Sequence, residues 1–352
     1  MRAHEQSHTE PTIAVLTRRF RTAARVRRPE PERESMRDRD SLAPMLPVGA
    51  RLALSYIRRE LPAWGKVYRS SLVRGTDGAH WSRAPICRVR GKLHGYEMEV
   101  DLSNWSERYT YFLGRYYDLP TQLLLLAYLK PGDRFVDVGA NIGMITLLAA
   151  RLVGPTGRVD AIEPNPLCAA RIRRSLVENG VTWAHVHAVG LGDRSGLLEL
   201  NVVDGHTGAG TFAHLDPREH NVTARLPVRV VRGDALLDPS RPIHCIKIDV
   251  EGYECHVLAG LENTIASNRP LVVTEAIALQ LARCGRRLEH LFGLMRAHGY
   301  DGFVPTSRRR ALRQRLALSP LELGKAAECR DIAWIHPEDE RRSTLLRACP
   351  TV

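Results

Sequence analysis

The sequence lacks the features that would place the protein in a membrane or in an oxidising compartment. No apolar run approaches the ~18 residues of a membrane-spanning helix, and "QLLLLAYL" at 122–129 is short enough for a packed helix. The N-terminus lacks the charged-then-apolar order of a secretory signal. The seven cysteines are odd in number and include no CxxC pair, a usage typical of reduced thiols. We therefore expect a cytoplasmic protein with no membrane span.

The middle of the chain also has no net charge. The 352 residues carry a net charge of +12, but residues 101–300 hold 21 basic and 21 acidic side chains, so the excess lies in the flanks. A neutral central region is poorly suited to binding a phosphate backbone, which needs clustered Lys and Arg. Nucleic acid is therefore not expected as a partner. The basic flanks keep RNA or protein open as an alternative substrate.

Composition predicts four parts along the chain. Residues 1–48 are expected to be a disordered basic tail, because the Arg-, Glu-, Pro- and Ser-rich stretch 1–45 cannot bury enough apolar surface to become ordered. Residues 49–118 are expected to form an N-terminal cap, with a helix in "ARLALSYIRREL" and a β-hairpin over 86–102. The main domain is expected over 119–340, followed by a C-terminal tail over 341–352.

The main domain alternates strands and helices. "RFVDVG" predicts a strand, "IGMITLLAARLV" a helix, "RVDAIE" a second strand, and a second helix opens at Pro166. A third strand is expected in "WAHVHAVGLGD", 183–193, followed by a polar, Gly-rich insertion over 194–224. A strand and short helix in "LPVRVVRGDALL" and further strand and helix patterns follow. This order predicts an α/β fold with a mostly parallel, doubly wound sheet.

The turn "DVGANIG" after the first strand carries the first chemical signal. Ligands of doubly wound sheets bind beyond the carboxyl ends of the strands, and Gly139 and Gly143 permit close approach and tight packing there. A dinucleotide-binding turn needs a further glycine where this chain has Asn141, which disfavours an NAD oxidoreductase. Asp137, just before the turn, suits a positively charged ligand better than a phosphate.

Two later acids complete a pattern that suits S-adenosylmethionine, which carries an ammonium and a sulfonium and no phosphate. Glu163 ends the second strand, where a carboxylate can accept hydrogen bonds from both ribose hydroxyls. Asp193 follows the third strand, where it can meet an adenine amine. We therefore predict S-adenosylmethionine as the cofactor.

The stretch "IHCIKIDVEGYECHVL", 243–258, combines an apolar strand with Lys247, Asp249, Glu251 and Glu254. Burying unpaired carboxylates is expensive, so these acids are expected beyond the carboxyl end of a central strand, where the ligand lies. Glu254 has a simpler explanation, because an acid in the first turn of the next helix favours the helix dipole.

These blocks resemble the FkbM family of S-adenosylmethionine-dependent methyltransferases. The resemblance rests on "KPGDRFVDVGANIGMITLLAA", "GRVDAIEPNP", "IKIDVEGYECHVLAG" and "RPLVVTEA". It implies a Rossmann-like class I methyltransferase fold and methyl transfer, usually to a hydroxyl of a sugar or natural-product scaffold. The family's cofactor turn falls on Asp137 through Gly143, including Ala140, and its second motif falls on Lys247, Asp249, Glu251 and Gly252. Two departures, Met144 and His256, are expected to shape the pocket.

Methyl transfer to a hydroxyl requires alignment and removal of a proton. We hypothesise that Asp249 or Glu251 is the base, with His206 in the insertion as a further candidate because histidine titrates near neutral pH. Lys247 and Glu275 are expected to line the substrate site. No metal ligands are predicted, although the clustered acids leave a metal-dependent methyltransferase open. A catalytically silent binding protein of the same fold is the remaining alternative.

Overall fold

The computed structural model describes residues 46, 48–74, 81, 84–203, 210–213, 215, 222–310, 313–322 and 330–349. The predicted disordered tail falls almost entirely outside these residues. The described helices are α1 (Val48–Arg58), α2 (Trp64–Arg69), α3 (Ser71–Arg74), α4 (Trp105–Leu113), α5 (Leu119–Tyr128), α6 (Met144–Val153), α7 (Pro166–Glu178), α8 (Gly233–Leu236), α9 (Glu254–Gly260), α10 (Glu262–Asn268), α11 (Ala278–Arg283), α12 (Leu288–Ala297) and α13 (Arg342–Ala348).

The strands follow the same chain order and fall into three sheets. They are β1 (Ile86–Arg90), β2 (Glu97–Asp101), β3 (Arg134–Val138), β4 (Arg158–Ile162), β5 (Ala184–His187), β6 (Gly190–Leu191), β7 (Gly196–Val203), β8 (Val222–Val231), β9 (Cys245–Ile248), β10 (Leu271–Glu275), β11 (Asp301–Arg310), β12 (Arg313–Pro320) and β13 (Asp331–Ile335).

The central sheet has eight strands in the order β12-β11-β13-β10-β9-β3-β4-β5. The five strands from β10 to β5 are mutually parallel, and β13, β11 and β12 are added antiparallel at one side. Strands β3, β9 and β10 are buried at every position, as expected for parallel strands in a sheet that is covered on both faces. The predicted α/β fold with a mostly parallel doubly wound sheet is confirmed.

The region expected to be one strand and an insertion is built differently. The predicted strand over 183–193 divides into β5, in the central sheet, and β6, which pairs with β8 in a separate three-stranded sheet of order β6-β8-β7. Strand β7, which pairs antiparallel with β8, lies inside the predicted insertion. Alternating exposed and covered positions along β8 explain why this strand stays out of the buried central sheet.

The N-terminal cap packs on the central sheet through a shared core. The predicted hairpin is present, with β1 and β2 antiparallel, and α1 buries Ala50, Ala53 and Ile57 at helical spacing. Met98 and Phe112 from the cap join the same apolar cluster as Phe135 of β3. The domain boundaries proposed from sequence, including the one at 118, stay predictions.

Three further segments differ from the sequence-based expectation or extend it. The segment "YECHVLAGLENTI", in the region where further strand and helix patterns were expected, forms two helices, α9 and α10, that meet at Leu261. The antiparallel pair β11–β12 lengthens the sheet where no strand was expected, and α13 lies within the predicted C-terminal tail. Among the described residues, no helix has the length and apolar character needed to cross a membrane.

Candidate functional site

Two adjoining pockets open at the carboxyl ends of the parallel strands. The first lies between the turn after β3, the end of β9 and the cap, and the second lies between the ends of β3 and β4 and the smaller sheet. Each encloses about 550 Å³, counting the solvent at its mouth. Gly139, Asn141 and Asp249 line both pockets. The sheet edge predicted to bind ligand therefore carries a continuous cleft.

The turn after β3 is shaped for close approach of the backbone to β9. Gly139 has a φ of +80°, and a β-carbon there would overlap the carbonyl oxygen of Asp249. Its N–H and that of Ala140 donate to the carbonyl of Ile162, which ties the turn to β4. Asn141 follows with a φ of +50°, a left-handed conformation that costs a non-glycine residue on the order of 1 kcal/mol.

Asp137 is fully buried beneath this turn. Thr146 Oγ1 donates to its Oδ2 at 2.6 Å, whereas Oδ1 has no hydrogen-bond partner within the described part of the chain. Burial raises the pKa of this carboxyl, and the nearby Lys247 opposes the rise. Because Asp137 lines the first pocket, an unpartnered acidic oxygen lies where a cationic ligand would meet it.

Glu163 lies on the second pocket, at the end of β4. Its Oε2 accepts from the N–H of Asn141 at 2.7 Å and its Oε1 accepts from the N–H of Asn165 at 2.9 Å. Burial raises the pKa of Glu163 to about 7 despite these hydrogen bonds. Each carboxylate oxygen keeps a further lone pair for a ligand hydroxyl. Asn165 itself caps α7 by accepting from the N–H of Leu167.

The end of β9 joins a cation to the acids of the rim. Lys247 Nζ lies 3.0 Å from Asp249 Oδ2, and the Lys247 side chain is 7% exposed. Surrounding carboxylates, Asp249 first, raise the pKa of Lys247 against the effect of burial. The pairing stabilises negative charge on Asp249.

Glu251 follows in a strained conformation, with a φ of +54°, and accepts a hydrogen bond from Gln280 Nε2. Burial, together with Asp249 and Glu254, raises the pKa of Glu251 to about 8. Glu251 therefore combines a position on the first pocket with a pKa near neutrality.

Glu275 completes what we call the carboxylate cluster: Asp249, Glu251 and Glu275. One oxygen of each lies within 4.8 Å of the others. Glu275 does not line either pocket; its side chain is 1% exposed and lies behind the pocket wall, with Arg330 Nε at 3.3 Å from Oε1. Burial and the two other acids raise its pKa to about 10.

Aromatic side chains from the cap cover the first pocket and were not singled out by the sequence reasoning. Tyr116 Oη donates to Tyr117 Oη at 3.0 Å, and Arg330 Nη2 donates to Tyr117 Oη at 2.9 Å. Arg330 thus connects the Tyr117 side of the pocket to Glu275. The only sequence signal was the density of tyrosines in "ERYTYFLGRYYDLP", which does not say where they lie.

Comparison with known proteins now adds to this geometry. Residues 137–301 match the family described as Methyltransferase FkbM domain. The 31-O-demethyl-FK506 methyltransferase FkbM of Streptomyces tacrolimicus is 30% identical over 200 residues, 49% of this chain and 74% of that protein. The chain belongs to the FkbM methyltransferase family.

Other relatives are matched over smaller shares of their own lengths. Methyltransferase 1 of Beauveria bassiana is 30% identical over 151 residues, which cover 38% of this chain and 60% of that protein's length. The crystal structure of an FkbM methyltransferase from Methylobacillus flagellatus shares 16% identity, with a TM-score of 0.35 over 64% of this chain and 52% of that one. The chain thus spans less than two thirds of the Beauveria relative.

Membership of the FkbM family implies a site for S-adenosylmethionine in this chain. The residues present fit that cofactor on two observations. Asp137 offers an unpartnered buried oxygen for a cationic group, and Glu163 keeps a lone pair on each carboxylate oxygen for the hydroxyls of the ligand.

The predicted site residues are not all brought together. Gly143 is the N-cap residue of α6, with a φ of +90°, and lines neither pocket. Asp193 also lies off both pockets, with its Oδ2 at 3.4 Å from His256 Nδ1. His206 lies outside the described residues. The roles proposed for Gly143, Asp193 and His206 stay predictions.

Proposed function

We propose that this FkbM-family enzyme methylates a hydroxyl group of a small molecule, such as a sugar or natural-product scaffold. The observation that carries the proposal is the position of Asp249 and Glu251 on the wall of the first pocket, beside the turn over Asp137. The similar Streptomyces protein is named for methylation at an oxygen of a small molecule, which supports the same acceptor chemistry here.

The cofactor residues in this proposal are those that surround the turn and the second pocket. Asp137 would bind the cationic end of S-adenosylmethionine, Glu163 its ribose hydroxyls, and the backbone of Gly139 to Asn141 would lie against it. When bound, the cofactor supplies a methyl group on a sulfonium, which needs no metal to leave.

The chain's own part in the chemistry is to align the acceptor oxygen and take its proton. Glu251 is the better base of the two, because its pKa near 8 matches proton transfer near neutral pH. Asp249, whose charge Lys247 stabilises, is suited to accepting a hydrogen bond that orients the hydroxyl. Tyr116 and Tyr117 would enclose the acceptor from the cap side.

The same charges argue against RNA as the acceptor. The first pocket is lined by Glu107, Asp137, Asp249 and Glu251 with Lys247 as its basic residue, and an acidic rim repels a phosphate backbone. We keep a cytoplasmic location as part of the proposal, since the cysteines among the described residues form no disulfide.

The test is methyl transfer from labelled S-adenosylmethionine to hydroxyl acceptors by Asp249→Asn and Glu251→Gln. Loss of a base lowers turnover by about 10²–10⁴-fold, so Glu251→Gln should lose turnover in that range while binding cofactor normally by calorimetry. Asp249→Asn should lose turnover through misalignment and raise KM for the acceptor. Near-full turnover in both variants, with intact cofactor binding, would remove the assignment.

A further inference from the structure

The rim around the carboxylate cluster holds more negative than positive charge. Three acids meet there, and two cations approach them: Lys247 is paired with Asp249, and Arg330 lies beside Glu275. Glu254 adds a buried acid to the same rim, where its Oε1 accepts from the N–H groups of Val250 and Gly252 on either side of Glu251. The cluster is therefore short of positive charge.

The lack of positive charge around the carboxylate cluster is clearest at Glu275. Its side chain is 1% exposed, yet neither of its oxygens accepts a hydrogen bond from a group in the described ranges. Burying a carboxylate without hydrogen bonds costs several kcal/mol in general. The carboxamide oxygen of Gln280, whose nitrogen donates to Glu251, is also buried without a described partner. Buried acceptor oxygens without a described hydrogen-bond partner are thus found both in the carboxylate cluster, at Glu275, and on Gln280, which contacts Glu251.

We propose that the carboxylate cluster, Asp249, Glu251 and Glu275, binds one divalent cation of the hard, oxygen-preferring kind, Mg²⁺ or Mn²⁺. Oxygen ligands lie about 2.0–2.1 Å from Mg²⁺, so ligands on opposite sides of the ion are ~4 Å apart. The observed spread of at most 4.8 Å closes to that value with small side-chain movements. The inference departs from the expectation, drawn from sequence alone, that this site holds no metal.

The metal site rests on its own geometry, whereas its role rests on the proposed function. Asp249 and Glu251 line the first pocket, so the cation's charge lies beside the place proposed for the acceptor hydroxyl. A nearby divalent charge favours loss of the hydroxyl proton. Acceptors with a second oxygen next to the reacting hydroxyl would then be preferred, because both oxygens can approach the ion.

The test is binding of Mn²⁺ to the full chain after treatment with a chelator, measured by calorimetry and by electron paramagnetic resonance. We expect one saturable ion per chain. Glu275→Gln keeps the shape of the side chain but removes a ligand charge, and should weaken Mn²⁺ binding at least tenfold. Glu254→Gln is the matched control: it removes a buried acid from the same rim that is not in the cluster, and should change binding by less than threefold.

Two outcomes would overturn the inference. One is the absence of saturable Mn²⁺ binding at millimolar concentration by wild-type protein that still binds S-adenosylmethionine. The other is equal weakening by Glu275→Gln and Glu254→Gln, which would mean attraction to the acidic rim as a whole. Cofactor binding by each variant checks that it is folded. Methyl transfer is measured separately, so Mn²⁺ binding without hydroxyl methylation would reject the proposed function and keep the metal site.

Discussion

Lys247 Nζ and Asp249 Oδ2 are 3.0 Å apart; Lys247 lies in strand β9, and Asp249 directly follows the carboxyl end of that strand. Lys247 lines the first pocket, and Asp249 lies on the wall of both pockets. Lys247 is also close to Asp137, which contributes to raising the lysine pKa. One buried ammonium therefore offsets charge on both sides of the cleft.

Lys247→Met should destabilise the fold strongly, because it leaves buried acids without their cation. Breaking a buried ion pair from one side costs about 3–5 kcal/mol. Asp249→Asn should cost less, since Lys247 keeps Asp137 as a neighbour. Urea denaturation of both single variants and of the double variant gives the coupling energy between Lys247 and Asp249, which should exceed about 1 kcal/mol. Additivity of the two changes within about 0.5 kcal/mol would contradict the pairing.

Gly139→Ala should abolish cofactor binding and lower stability, because its β-carbon would overlap the Asp249 carbonyl oxygen. Gly180→Ala is the matched control. Gly180 has a similar left-handed φ of +65° but no atom within 4 Å of an added β-carbon, so it should lose only about 1 kcal/mol from backbone strain. Denaturation and calorimetric binding of S-adenosylmethionine separate the two effects. Equal losses of stability and of cofactor binding in both variants would show that the backbone strain, and not the contact with the residues after β9, causes the effect.

The stability of the cofactor-free protein should fall as pH rises from 4.5 to 7. The pKa of Glu163 is raised by burial from its usual 4.5 to about 7, so its protonated form is favoured by folding. That stability is fully present below the unfolded pKa and is lost as pH passes the folded one. Glu163→Gln should flatten the profile in this window and leave the remaining decline to the other buried acids. A wild-type profile that rises from pH 4.5 to 7 would contradict the sign.

Among substitutions of buried residues in the central sheet, Asp160→Asn should cause one of the largest losses of folding stability. Arg134 Nε lies 2.9 Å from Asp160 Oδ2, and both side chains are 1% exposed; removing the acid leaves a buried guanidinium, at a cost of about 3–5 kcal/mol. Arg88→Gln is the control, since Arg88 forms an exposed pair with Glu178 at 3.0 Å and should change stability by less than about 1 kcal/mol. Thermal denaturation of both variants compares them. A similar small loss in both would contradict the argument.

Sequence reasoning reached the parts of the site that follow strand ends. Asp137, Glu163 and Asp249 each come directly after or at the end of an apolar run, and neighbouring parallel strands end at one edge. The meeting of Glu275 with Asp249 follows from the same rule, because β10 pairs with β9. Each of these residues can be recognised from its own short segment of sequence, even though the residues that meet are far apart in the chain.

The remaining parts depend on contacts that no local pattern specifies. Arg330 reaches Tyr117 across 213 residues of sequence, and Gln280 reaches Glu251 from the helix after β10. Strand β6 leaves the central sheet because it pairs with β8, a choice made by tertiary packing rather than by the apolar character of 183–193. The cover of the first pocket therefore could not be placed from sequence.

Gly139, Asn141 and Asp249 form a wall that is shared by the pocket proposed for the acceptor and the pocket proposed for the cofactor. A substitution on that wall changes the surroundings of both ligands at once, so it cannot alter the choice of acceptor while sparing the cofactor. Tyr116 and Tyr117 touch only the first pocket and come from the cap. A change of acceptor over evolution, or by engineering, would therefore begin in the cap, with the strand ends left as they are.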